Sequence, residues 1–152
     1  MNKGLIALGA VVVIIIVVGG FFSLYNGLKE SEISVDASYG QVENQMQRRS
    51  DLIPNLVNTV KGYDVHEKAV IEEVVNARAK LAGAQGVEQM DAANAELSGA
   101  LGRLFAIAEA YPDLKANTQY LELMRELAGS ENRIAVARRD YNEAVREYNV
   151  RI

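Results

Sequence analysis

The chain contains no cysteine and no tryptophan, and only one histidine and two prolines among its 152 residues. Without cysteine there is no disulfide, no thiolate metal site, no cysteine nucleophile and no lipid-modified anchor cysteine. The one histidine, His66, has no second imidazole to join it. A di-iron bundle needs paired Glu-x-x-His motifs, and the residue three before His66 is Tyr63. His66 therefore reads as a surface or helix-flanking residue. The glycines of Gly83-Ala84-Gln85-Gly86 lack the Lys-Ser/Thr that a phosphate-binding loop needs. No nucleophile with a base and an orienting acid stands out, so neither catalytic residues nor a cofactor or metal are expected. The net charge is −4. From Lys29 onward there are 15 basic residues (all 16 except Lys3) against 20 acidic ones, which argues against a nucleic-acid partner.

Charge is missing altogether from Gly4 to Leu28, GLIALGAVVVIIIVVGGFFSLYNGL. A bilayer core takes about 20 apolar residues in helical form, so residues 4–28 are long enough to cross one. A cleavable signal would have a shorter apolar region followed by a small-x-small site, and FFSLYNGLKES offers none. A prepilin leader would have an acidic residue soon after Gly4, which is absent. The expectation is an uncleaved anchor over 1–28 and a second domain over 29–152. Phe21, Phe22 and Tyr25 lie where interfacial aromatics occur. Lys3 on one flank, against Lys29, Glu30, Glu32 and Asp36 on the other, leans weakly to an N-terminus inside and a domain outside the cytoplasm.

Beyond the apolar run, heptad steps carry the pattern. From Val35 they fall on Tyr39, Val42, Met46, Arg49, Ile53, Leu56, Val60, Tyr63, Glu67, Val70, Val74, Ala77 and Leu81, with Arg49 and Glu67 the two breaks. A stripe at this spacing is a helix with a core-facing seam. Gly83 and Gly86 mark a linker. A second stripe runs from Met90 through Asn94, Leu97, Leu101, Leu104 and Ala108 to Tyr111, where Pro112 stops it. Asn94 reads as a solvated or capping residue near that start. Asn117 is a candidate N-cap for a last helix, whose stripe takes Tyr120, Met124, Leu127, Glu131, Ile134, Arg138, Tyr141, Val145, Tyr148 and Ile152. The four charged seam positions, Arg49, Glu67, Glu131 and Arg138, include two of each sign. They read as cross-helix pairs that specify register, or alternatively as a polar ligand site. The tyrosines on the seams read as core residues with hydroxyls at the rim.

One stretch leaves two readings open. In RRSDLIPNLVNTV, residues 48–60, Pro54 is tolerated in a first helical turn, Asp51 is a good N-cap, and Arg48 and Arg49 would suit a preceding helix C-terminus. That predicts a helix boundary and four helices near 26–49, 52–82, 88–111 and 117–150. The unbroken heptad phase instead predicts one helix merely kinked at Pro54, and three long helices. Either way the fold class is all-α, an antiparallel up-and-down bundle after a single transmembrane helix.

RRSDLIPNLVNTVKGYDVHE, LSGALGRLFAIAEAYPDLKAN and ENRIAVARRDYNEAVREYN, together with the apolar segment and Tyr25-Asn26, resemble the LemA family of bacterial membrane proteins. The family pattern has an aromatic near position 39, here Tyr39, and Ser or Ala where this chain has Gly40. The resemblance implies a single-span anchor, a helical bundle and no catalytic residues; for one branch, associated with magnetosomes, it implies a part in membrane organisation. The function expected is a scaffold or adaptor in the bacterial inner membrane. It would hold the bilayer through residues 4–28 and a protein partner or further copies of itself through the bundle. A ligand-binding or sensory bundle with its site at the polar seam residues is the alternative.

Overall fold

Fifty-nine consecutive residues, Lys3–Lys61, form one helix, α1, in a computed structural model that describes residues 3–63 and 65–152. At 1.5 Å per residue it is about 90 Å long. Its two halves have opposite surroundings. Leu8, Val11 to Val18, Phe21, Phe22, Leu24 and Tyr25 are each roughly half exposed or more, whereas Val42, Met46, Ile53, Leu56 and Val60 are buried. β-Branched runs are indifferent helix formers in water. In hydrocarbon, backbone groups must be satisfied within the segment, and a helix does that.

The boundary expected at Ser50-Asp51 is absent, because α1 continues through Pro54. Proline removes the N–H that would bond the carbonyl four residues back, that of Ser50. Arg78 replaces it, its Nε donating to the Ser50 oxygen at 3.2 Å. Pro54 itself is exposed, so its ring displaces no core side chain. Asp51 caps nothing. Its carboxylate accepts from Gln47 Nε2 at 2.7 Å, one helical turn away. Arg48 reaches Glu126 on the last helix at 3.6 Å instead of facing free carbonyls. The true end of α1 is at Gly62, whose amide bonds back to the carbonyls of Asn58 and Thr59, at 3.2 Å each.

Two helices then form a hairpin, α2 (Lys68–Gly83) and α3 (Gly86–Ala108). Only Ala84 and Gln85 separate them, and Gly86 has φ +75°, a left-handed conformation that favours glycine. Lys80 to Glu96 at 2.5 Å and Arg103 Nε to Glu73 at 2.8 Å cross the hairpin in antiparallel register. The corner at Pro112 holds a single turn, α4 (Pro112–Lys115), which buries Leu114. The last helix is α5 (Thr118–Arg151), with Asn117 as its N-cap accepting from the Tyr120 amide at 2.8 Å.

α5 runs antiparallel to α1 over its whole length. At one end Asn117 Nδ2 donates to the Tyr63 hydroxyl at 2.7 Å. About two thirds of the way along, the rings of Tyr39 and Tyr141 lie 6.1 Å apart. At the other end Arg151 Nη1 donates to the Gly27 carbonyl at 2.9 Å. The α2–α3 hairpin packs on the distal part of this pair and completes a four-helix core around Ile53, Leu56, Val74, Leu97, Leu104, Tyr120 and Ile134. Its tip lies near Tyr39, with Gly86 against the tyrosine hydroxyl. From there to Gly27, α1 and α5 continue as a pair.

The buried stripe of α5 differs from the expected one. It comprises Tyr120, Leu123, Leu127, Ser130, Ile134, Ala137 and Ala144. Met124 and Val145 are only partly buried, and Glu131 and Arg138 are exposed. Small residues at 130, 137 and 144 occupy the seam, and the long charged neighbours lean out beside it.

Two glycine substitutions should move stability in opposite directions. A Cβ at Gly40 meets nothing within 4 Å, so Gly40→Ala should stabilise by about 0.5–1 kcal/mol through helix propensity. Gly86→Ala has equal room but the wrong φ, and should destabilise by about 1 kcal/mol. Denaturant unfolding of the full chain in detergent, followed by circular dichroism, checks both signs. A double-mutant cycle tests the carbonyl at the proline. Arg78→Ala should cost about 1 kcal/mol beside Pro54 and clearly less in a Pro54→Ala background, where residue 54 regains its N–H.

Candidate functional site: a polar layer inside the bundle

Arg49 is 4 % exposed, the one charged side chain among the buried residues described. Burying a guanidinium is costly unless acceptors surround it. Three do. Nη1 donates to Asn94 Oδ1 at 2.5 Å and pairs with Glu131, and Nη2 donates to Ser98 Oγ at 3.1 Å. Asn94 and Ser98 lie one turn apart on α3, and the Ser98 hydroxyl also bonds the Asn94 carbonyl at 2.9 Å. Glu131 comes from α5, its side chain about half exposed. Burial pulls the Arg49 pKa down and the Glu131 carboxylate pushes it up. Arginine stays protonated in either case.

The neighbouring polar contacts belong to the same layer. Arg78 of α2 holds the Ser50 carbonyl, one residue along α1 from Arg49. Arg138 on α5 pairs with Asp91 on α3 at 2.7 Å. Burial raises the Asp91 carboxyl pKa, and Arg138 opposes the rise. Asp91 therefore holds its proton more tightly folded than unfolded, and its contribution to stability falls as pH climbs from the ordinary carboxylate value to the raised one. All four long helices thus place a charged or polar group at this level.

Of the charged seam residues, the structure brings Arg49 and Glu131 together, while Arg138 pairs with Asp91, which no stripe contained. Glu67 lies elsewhere, in the connection between α1 and α2, where Tyr111 donates its hydroxyl to Glu67 Oε2 at 2.9 Å. It interrupts no helical seam, because the helix has already ended. Tyr111 Oη also accepts from the His66 amide at 3.2 Å. Pro112 begins α4 and Asn117 begins α5. Asn94, read from sequence as solvated or capping, is 5 % exposed and is a principal acceptor for Arg49. Its place on the second apolar stripe was the signal. Ser98 carried none.

The arrangement binds a cation of the chain's own. Three acceptors face the two terminal nitrogens of Arg49, leaving Nε buried without a partner. An anionic ligand would have to displace Glu131. Among the described residues, no group of three or more His, Asp or Glu side chains is placed to hold a metal ion.

These features define a class: an all-α bundle whose first helix carries, in its other half, a segment long and apolar enough to cross a membrane. Residues 38–152 match the LemA family, and the chain belongs to that family. It is similar to magnetosome proteins MamQ 2 and MamQ 1 of Paramagnetospirillum magneticum (strain ATCC 700264 / AMB-1), 26 % identical to each over 154 positions, covering 84 % of this chain and 57 % of theirs. It is also similar to protein LemA of Metamycoplasma hominis, 24 % identical over 146 positions, covering 91 % of this chain and 65 % of that one. The chain thus spans a little over half the length of the MamQ relatives.

The two partners of the central pair should differ in weight. Arg49→Ala leaves a cavity and strips Asn94 of its donor, and should cost about 3 kcal/mol. Glu131→Gln removes a charge that water already half screens, and should cost about 1 kcal/mol or less. Denaturant midpoints of the two variants give the ranking, and a reversed order would contradict this account of the layer.

Proposed function

We propose that the protein is a membrane-anchored scaffold or adaptor of the bacterial envelope. Residues 1–28 form the anchor and 29–152 the bundle that meets a protein partner or further copies of the chain. The observation that carries this reading is the continuity of α1: one helix supplies both the exposed apolar segment and the first wall of the bundle core. Such a rod presents a bundle surface at a fixed distance from the bilayer. The magnetosome context of the MamQ relatives agrees with work at a membrane. Lys3 before the apolar run favours an N-terminus inside and a bundle outside the cytoplasm of an inner membrane. A ligand-binding or sensory role at the polar layer has less support, because Glu131 already occupies the guanidinium it would use.

Amine-reactive crosslinking in native membranes at native expression should give discrete species larger than the monomer, either a ladder of copies or a defined complex. Monomer alone would remove the scaffold reading. Protease added to spheroplasts should degrade the bundle; protection until lysis would place it in the cytoplasm.

A further inference from the structure

The far end of α5 returns to the level of the aromatic residues on α1. Arg151 bonds the Gly27 carbonyl at 2.9 Å. Gly27 is two residues beyond Tyr25, about 3 Å along the helix. Phe21, Phe22 and Tyr25 form a contiguous ring cluster there, with Phe21 and Tyr25 stacked at 6.5 Å and Phe21 and Phe22 edge-on at 6.2 Å. Between this stretch of α1 and the end of α5 lies a cleft of about 520 Å³, lined by Phe21, Leu24, Tyr25, Gly27, Leu28 and Arg151. Its wall is largely apolar, with the Arg151 guanidinium its one charged group. Among the described residues Arg151 makes no ion pair, and one of its nitrogens is committed to a backbone carbonyl. The flanking Val150 and Ile152 are 82 % and 74 % exposed, among the most exposed apolar side chains of the bundle domain.

We propose that this cleft is a phospholipid site and the end of α5 a second membrane contact. The inference rests on the reading of residues 4–28 as a span. If that segment fills the hydrocarbon, the aromatic cluster sits in the interfacial layer, and the near-level end of α5 meets the headgroups. The cleft then takes the glycerol and upper acyl chain of one lipid against Phe21, Leu24 and Leu28. Arg151 takes the phosphate through its remaining N–H groups, and Val150 and Ile152 enter the interface beside it. Continuity with the apolar face of α1 selects lipid as the occupant. Lys29 nearby is already paired with Glu32, so Arg151 is the cation left to the headgroups, and it selects an anionic lipid over a zwitterionic one.

Absence of cysteine makes the test direct. A fluorophore is placed on the full chain at Val13→Cys, Val136→Cys or Val150→Cys. Each is reconstituted in phosphatidylcholine vesicles containing a small fraction of spin-labelled phosphatidylcholine or spin-labelled phosphatidylglycerol. The expected result is quenching at 13 and 150 but not at 136, which lies about 20 Å back along α5. At 150, phosphatidylglycerol should be favoured by about fivefold, the effect of one basic residue at an anionic surface. Arg151→Gln should bring that preference close to one while leaving quenching at 13 intact. Quenching at 13 with none at 150 overturns the second contact and leaves the span standing. No quenching at 13 overturns the span and the inference with it. Quenching at 150 without lipid preference, or a preference that survives Arg151→Gln, overturns the arginine site.

Discussion

A single carbonyl, that of Ser50, decides the architecture. Pro54 takes away its helical partner, and a buried carbonyl left without one costs on the order of 1–3 kcal/mol. Arg78 reaches across from α2 and meets it. With that contact α1 passes the proline intact. Without it the chain would have reason to break there, as Asp51 and the two preceding arginines suggest. Because α1 does not break, the apolar half and the bundle half belong to one rigid element, and α5 can pair with it from Tyr63 back to Gly27.

The polar layer beside that carbonyl fixes how the other helices sit. An apolar seam alone tolerates slips of a heptad, since one leucine layer resembles the next. Arg49 does not tolerate them. Its acceptors are Asn94, Ser98 and Glu131, and a slip of α3 or α5 would leave a buried guanidinium unmet. Such a layer favours the observed register over a slipped one. Arg78, Asp91 and Arg138 extend the same discrimination to α2 and to the outer faces of α3 and α5.

Much of this was legible in the sequence, and the misreadings have particular causes. The uncharged run, the helical periodicity, the Gly83–Gly86 connection and the corner at Pro112 are local signals. Pro54 misled because its remedy lies 24 residues away on another helix, beyond any local rule. The real end of α1, Lys61-Gly62, carries a cation followed by glycine, an ordinary C-terminal signature. The heptad phase masks it by running on through the turn into α2. On α5 the heptad stripe falls one residue off the buried seam at every second position: apolarity picks out Met124 and Val145, whereas the seam holds Leu123, Ser130, Ala137 and Ala144. Close helix approach favours small side chains, which a count of hydrophobic residues undervalues. Asn94 and Ser98 could not be assigned to Arg49 without knowing how α3 lies on α1.

The paired stem formed by α1 and α5 between the hairpin tip and Gly27 constrains how the chain can change in length. One residue added to α1 there would turn everything beyond it by about 100° and advance it 1.5 Å, pulling Gly27 away from Arg151 while Tyr39 stays on Tyr141. Adding a whole heptad restores the facing side within about 20° but still shifts the partner by two turns. Only equal heptad insertions in both strands of the stem keep the contacts at both ends. Homologues with taller or shorter stems should therefore differ by matched blocks of about seven residues, one near the start of the bundle domain and one near the end of α5.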